Sequence, residues 1–242
     1  MKLSFRILNL LVAVALAASA LSLPALKVSA NSTTQALPFS QNWSNTALLA
    51  FNDNWDNVPG IIGYRGDNLV STTGVDPQTV LAADSPGVVD VNVNQTNPST
   101  NTSGGVAEFD TLANPVVALQ GSGTADAPYL LIYLDTTGLQ DIQVNYNVRD
   151  IDGSSDNSVQ QVALHYRVGA TGDFTNLPGG YIADATTGPS VATLVTPVAV
   201  TLPAAANNQP LVQVRILTTD AAGVDEWVGI DDISVTGTAA AE

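Results

Sequence analysis

Beyond residue 30, apolar and polar residues alternate with a period of two through most of the chain, the pattern of half-buried β-strands. Ile142, Val144, Tyr146 and Val148 form one side of a segment whose other side is Gln143, Asn145, Asn147 and Arg149. The next segment repeats this, with Val162, Leu164, Tyr166 and Val168 opposite Gln161, Ala163, His165 and Arg167. A third sets Val212, Val214 and Ile216 against Gln213, Arg215 and Leu217. Tyr129 to Leu134 is apolar on both sides and suits a central strand. Further strands are predicted near Ile61–Arg65, Val88–Val93, Gly105–Asp110, Val116–Gln120, Val198–Leu202 and Trp227–Val235. Turn clusters such as Gly121-Ser122-Gly123, Asp152-Gly153-Ser154-Ser155 and Leu177-Pro178-Gly179-Gly180 separate them. No helical period is convincing anywhere. These elements predict an all-β fold, a two-sheet antiparallel β-sandwich of the jelly-roll type.

Residues 1–30 read differently. Lys2 and Arg6 precede an almost wholly apolar run from Ile7 to Leu23, and Val28-Ser29-Ala30 fits the small-x-small rule of signal peptidase. An earlier cut after Ala18-Ser19-Ala20 is the alternative. The run is short for a membrane span and no cationic stop-transfer cluster follows it. A cleaved secretory signal, a secreted mature chain and no membrane association are therefore expected. Asn31 to Leu37 forms a polar lead-in, residues 38–237 a single β-sandwich domain, and residues 238–242 a small-residue tail. Gln95 to Ser103 reads as a long loop within that domain.

Composition narrows the function classes. The chain has no cysteine, which excludes disulfides, thiolate metal sites and a cysteine nucleophile. Residues 31–242 hold four arginines, no lysine and 22 acids, a formal charge of −18. Such a surface repels nucleic acid and anionic lipid. It also favours cations, and outside a cell calcium is the commonly available divalent ion. His165 is the only histidine and lies mid-strand with no nucleophile elbow, so no serine triad is assembled. Neither a phosphate-cradling glycine loop nor an HExxH motif occurs. No catalytic residues are assigned.

Two constellations remain. The closing segment Asp225-Glu226-Trp227-Val228-Gly229-Ile230-Asp231-Asp232-Ile233-Ser234-Val235 breaks strict alternation. Either a bulge at Asp231-Asp232 resets the register, or one carboxylate points inward. A buried carboxylate is costly, and a structural calcium held by Asp231 and Asp232 with Asn52, Asp53 and Asp56 would relieve it. The alternative is a bulge with both acids hydrogen-bonded to backbone amides. The second constellation is a polar sheet face carrying Arg149, Arg167, Arg215, His165 and Asn147, beside Asn145, Gln161 and Gln213. Guanidinium forks and planar amides suit sugar hydroxyls or uronic carboxylates, so this face is a candidate binding platform for a glycan or an extracellular protein surface. An aromatic row is missing from it, since Tyr146 and Tyr166 point inward by parity. A merely solvated sheet face is the other reading. The loop Asp150 to Asn157 reads as a turn despite its Asp-x-Asp-Gly opening, and Arg65-Gly66-Asp67 as a chance tripeptide.

The strings Gly63-Tyr64-Arg65-Gly66-Asp67-Asn68, Gly74 to Thr79, Gly105-Val106-Ala107-Glu108-Phe109, Ala118 to Pro128 and Asp225 to Ile233 resemble an N-terminal module of large bacterial secreted proteins. Among these are extracellular endonucleases that also carry lamin-tail and endonuclease/exonuclease/phosphatase domains. The closing Gly-Ile-Asp-Asp-Ile is similar to the last strand of jelly-roll carbohydrate-binding and MAM-like modules, where an acidic pair often lies near calcium. The resemblance implies a non-catalytic secreted module, or an accessory piece of an extracellular nuclease without its catalytic domain, because that domain's own residue set is not in this chain.

Overall fold

The computed structural model describes residues 31–240; the expected signal segment 1–30 and the last two tail residues lie outside them. In chain order the strands are β1 (Gln35–Ala36), β2 (Phe39–Gln41), β3 (Ile61–Tyr64), β4 (Asn92–Gln95), β5 (Gly105–Phe109), β6 (Val116–Gln120) and β7 (Tyr129–Asp135). They continue as β8 (Leu139–Asp150), β9 (Val162–Val168), β10 (Thr175–Asn176), β11 (Val195–Thr201), β12 (Val212–Thr218) and β13 (Val228–Ala239). Single-turn 3-10 helices are the only helical elements among the described residues. The long alternating runs thus form strands where the pattern places them. The short β1, β2 and β10 carry too few residues to show a period.

The strands build two packed sheets. The front sheet has six strands, with β1 and β3 sharing one edge of β7, followed by β12, β9 and β10. The back sheet has seven, in the order β11-β8-β13-β6-β5-β4, with β2 on the edge of β13 that β6 also uses. Pairing is antiparallel except for β1 with β7 and β4 with β5. From β6 onward the chain crosses between sheets at almost every connection, so residues of neighbouring strands in the sequence face each other across one core. The polar lead-in is structured, because Gln35 and Ala36 pair with Leu134 and Asp135. The tail likewise extends β13, with Thr238 opposite Gln140 and Ala239 opposite Leu139.

The apolar parity of each strand fills this core. Ile142, Val144, Tyr146 and Val148 of β8 pack against Leu130, Ile132 and Leu134 of β7 and Val212, Val214 and Ile216 of β12 as members of a single buried cluster. Trp43 and Trp55 meet edge to face within it, centroids 6.4 Å apart, an arrangement favoured by the ring quadrupole. A second set lies on the outer side of the back sheet. Phe109 meets Trp227 edge to face at 5.3 Å, and the Trp227 indole N–H donates to the Asn101 carbonyl at 2.7 Å. That bond holds the Gln95–Ser103 loop over the sheet as a cover.

The closing strand resolves its broken alternation with a bulge. Pairing between β13 and β8 shifts register between Asp231 and Ser234, and Asp232 takes a φ of 50°. The extra residue keeps Val228, Ile230, Ile233 and Val235 all buried.

Candidate functional site

The two proposed constellations do not assemble as expected. Arg149 lies on β8 of the back sheet, whereas Arg167 on β9 and Arg215 on β12 belong to the front sheet. The three arginines therefore share no face. Asn147 stays with Arg149, its side-chain amide donating to Asp232 at 3.0 Å. Arg215 and His165 do lie side by side on the outer side of the front sheet, as their cross-strand pairing requires. Both are completely buried, which corrects their reading as outward solvent-facing groups. The segment around Val75–Ala82 and Phe174 covers them. Arg215 donates to the Val80 and Ala82 carbonyls and to Nδ1 of His165. Burial and the adjacent Arg215 charge push the His165 imidazole down to about 3, so it is neutral.

The proposed calcium ligands are not gathered either. Asp231 is fully buried and accepts from Arg149 Nη1 at 2.8 Å and from Asn114 Nδ2 at 2.8 Å, while its other oxygen accepts the Asp232 amide. Asn52 and Asp53 instead accept the backbone N–H groups of Val93 and Val91, tying their loop to the approach of β4. The Asp56 amide donates to Asn54. Among the described residues, no group of three or more His, Asp or Glu side chains is disposed to hold a metal ion. Arg149 supplies the compensation for the buried carboxylate that the alternation argument assigned to a cation. In the Asp150–Asn157 loop, Asp150 accepts from Thr187 and Asp152 from the Ser154 amide. The Arg65-Gly66-Asp67 tripeptide closes on itself, with Arg65 Nε donating to Asp67 Oδ1 at 2.6 Å.

A different site lies on the outer side of the front sheet. Parity places Tyr129, Leu131 and Tyr133 of β7 there, and the register sets Tyr133 beside Gln213, Gln213 beside Arg167, and Tyr64 beside Tyr129. With Asp84, Gly87, Val89 and Phe174 from the covering segments, these residues line a groove of about 430 Å³. The rings of Tyr64 and Tyr129 stack with centroids 5.0 Å apart, and the Tyr64 and Tyr133 hydroxyls are 3.3 Å apart. Tyr129 donates to Asp84 Oδ2 at 3.3 Å, while Asp84 Oδ1 is buried without a partner. The Arg167 guanidinium carbon lies over the Phe174 ring, 4.2 Å from its centroid, with Nε on Gln213 and Nη1 on the Gly172 carbonyl. Arg215 approaches the same ring at 4.0 Å. Burial raises the pKa of all three tyrosines, so they are neutral hydroxyl donors and acceptors at pH 7.

Arg167 and Gln213 stand out in the sequence as polar strand positions, whereas the aromatic row beside them does not. Its signal is the triplet Tyr129-Leu131-Tyr133, masked because Leu130, Ile132 and Leu134 make the segment apolar on both sides. Tyr146 and Tyr166 point inward and are buried.

No protein-family model matches this chain, and no curated protein matches it. Solved structures that the chain is similar to include a carbohydrate-binding module specific for non-crystalline cellulose, 13% identical, covering 61% of this chain and 98% of that one at a TM-score of 0.39. The K2 cleaved adhesin domain of Lys-gingipain is 17% identical, covering 59% and 88% at 0.38. A carbohydrate-binding module in complex with β-1,4-galactotriose is 12% identical, covering 52% and 72% at 0.32. The chain itself is an all-β two-sheet sandwich.

Proposed function

We propose that this chain is a secreted, non-catalytic glycan-binding module whose ligand lies in the groove over β3, β7, β12 and β9. The observation that carries this reading is the convergence of three tyrosines, Arg167, Gln213 and Asp84 on one groove of about 430 Å³, within the size range of small-ligand sites. The half-buried Tyr64 ring offers an apolar face to sugar C–H groups, backed by the buried Tyr129 and Tyr133. Planar amide, guanidinium and phenol groups satisfy sugar hydroxyls, each fixed here by a neighbour before any ligand arrives. The groove suits binding better than hydrolysis, because Asp84 is the one carboxylate among its lining residues and glycoside hydrolysis ordinarily uses a pair.

The test is a glycan array probed with residues 31–242, repeated with Tyr64→Ala and Gln213→Ala. Binding that weakens in both variants, with melting temperatures close to the parent, supports the groove. Binding untouched by both, or no binding to any glycan, overturns it.

A further inference from the structure

The groove holds a cation that no ion pair satisfies. Of the four arginines among the described residues, Arg65 is paired with Asp67 and Arg149 with Asp231, while Arg167 and Arg215 have no carboxylate within ion-pair distance. Acids outnumber arginines more than fivefold beyond residue 30, so two unpaired guanidiniums at one place is a specific arrangement. Both press on Phe174, from 4.2 and 4.0 Å. Arg215 is sealed beneath, its nitrogens committed to Val80, Ala82 and His165. His165 is neutral and offsets none of this charge. Asp84 is the only acid lining the groove, held on its far side by Tyr129. Arg167 and Asp84 are thus the one cation and the one carboxylate lining the groove, with the Arg215 charge buried beneath them.

Arg167 is the cation a ligand can reach. It is half-buried, and its Nη2 has no hydrogen-bond partner among the described residues. Gln213, the Gly172 carbonyl and the Phe174 ring hold the guanidinium plane still, so little side-chain entropy remains to be lost on binding. A guanidinium with a free edge is the side chain best matched to a carboxylate, and at a part-buried site the charge-assisted bond is stronger than one to a neutral hydroxyl. The −18 surface opposes this only at a distance. Screening reduces charges beyond about 8 Å at physiological salt, so the local pair decides once a short ligand is seated.

We infer that the groove recognises a uronic-acid-containing glycan, with Arg167 taking the sugar carboxylate and the Tyr64–Tyr133 side taking ring hydroxyls. This rests on the glycan reading of the same groove and names the ligand class.

The experiment uses uronate trisaccharides of the galacto, gluco and manno series. Each is compared by calorimetry with its carboxyl-reduced and methyl-esterified counterparts, on the same protein. Short ligands limit repulsion by the acidic surface. At least one acidic trisaccharide should bind about tenfold or more tightly than both uncharged forms. Arg167→Gln should erase that preference, bringing the acidic and uncharged forms to similar, weaker affinities, and Arg167→Lys should keep part of it. The esterified ligand on the parent protein gives the same answer even if the variants fold poorly. Equal or tighter binding of the uncharged forms overturns the acidic assignment and leaves the groove as a neutral-glycan site. Binding of none of them, charged or uncharged, overturns the inference. If the glycan array is blank as well, the groove reading falls with it.

Discussion

Arg149 on β8 and Asp231 on β13 form a hydrogen-bonded ion pair of 2.8 Å across the back sheet, immediately before the bulge that resets the closing strand. The carboxylate is fully buried and the guanidinium side chain only 18% exposed, so neither is screened as a surface pair would be. Asn114 and the Asp232 amide also donate to Asp231. Burial still raises the Asp231 carboxyl above its ordinary range, which shows that desolvation outweighs the partners in this balance. The pair ties β8 to β13 beside that bulge. It sits where a one-residue slip would turn Ile233 and Val235 out of the core.

Removing one partner should cost more than removing both. Arg149→Gln leaves Asp231 buried without its cation and is expected to destabilise by about 2–4 kcal/mol in denaturant unfolding. Adding Asp231→Asn should recover at least half of that loss. A double variant as unstable as the sum of the singles would show that the two residues act independently.

The two front-sheet arginines should differ sharply in what their loss costs. Arg215→Gln strips donors from the Val80 and Ala82 carbonyls and leaves space beside Phe174, so a loss of about 2–4 kcal/mol is expected. Arg167→Gln, at a half-buried position, should change stability by less than about 1 kcal/mol. Thermal melts of the two variants side by side check this. Comparable stability would contradict the burial of Arg215.

Stability should rise as pH falls from about 8 to about 5. Burial pushes Glu108, Glu226 and Asp225 up to about 7 and Asp90 up to about 6. Each folded value lies above its unfolded counterpart near 4. The folded chain therefore takes up these protons first, and stability is gained as pH drops through 7 and 6, complete near 4. His165 acts in the other direction: its folded value is about 3, so the unfolded chain is favoured as pH falls below about 6.5. Four carboxyls against one imidazole give a net gain in this window. Glu108→Gln should raise the melting temperature at pH 8 and narrow the difference between pH 8 and pH 5. A melting temperature that declines steadily from pH 8 to 5 would refute the assignment.

Calcium should add nothing through the closing strand. Because Arg149 and Asn114 already occupy Asp231, melts in calcium and in magnesium at equal ionic strength should coincide, both raised over EGTA by screening of the acidic surface. A calcium-specific increment abolished by Asp232→Asn would restore the cation reading of that strand.

The sequence alone determined where the long strands run and which side of each faces the core, because a period of two is a local property that each segment carries by itself. It also exposed the fault in the closing strand: Ile230 and Ile233 cannot face the same side without an extra residue. Only the tertiary structure decided which strands became neighbours. Parity assigns a side chain to a face of its own strand but does not say which sheet that strand joins. Arg149 and Arg215 therefore looked alike in the sequence and ended on different sheets. The pairings that matter join distant residues, Arg215 with His165 across 50 positions and Arg149 with Asp231 across 82, set by which registers bury the most apolar surface together. The covering segments made the remaining difference. Val75–Ala82 and Phe174 close over Arg215 and His165 but leave a groove beside Tyr64, Tyr133 and Arg167. Whether a polar face is sealed or open depends on where loops come to rest, and no periodicity encodes that.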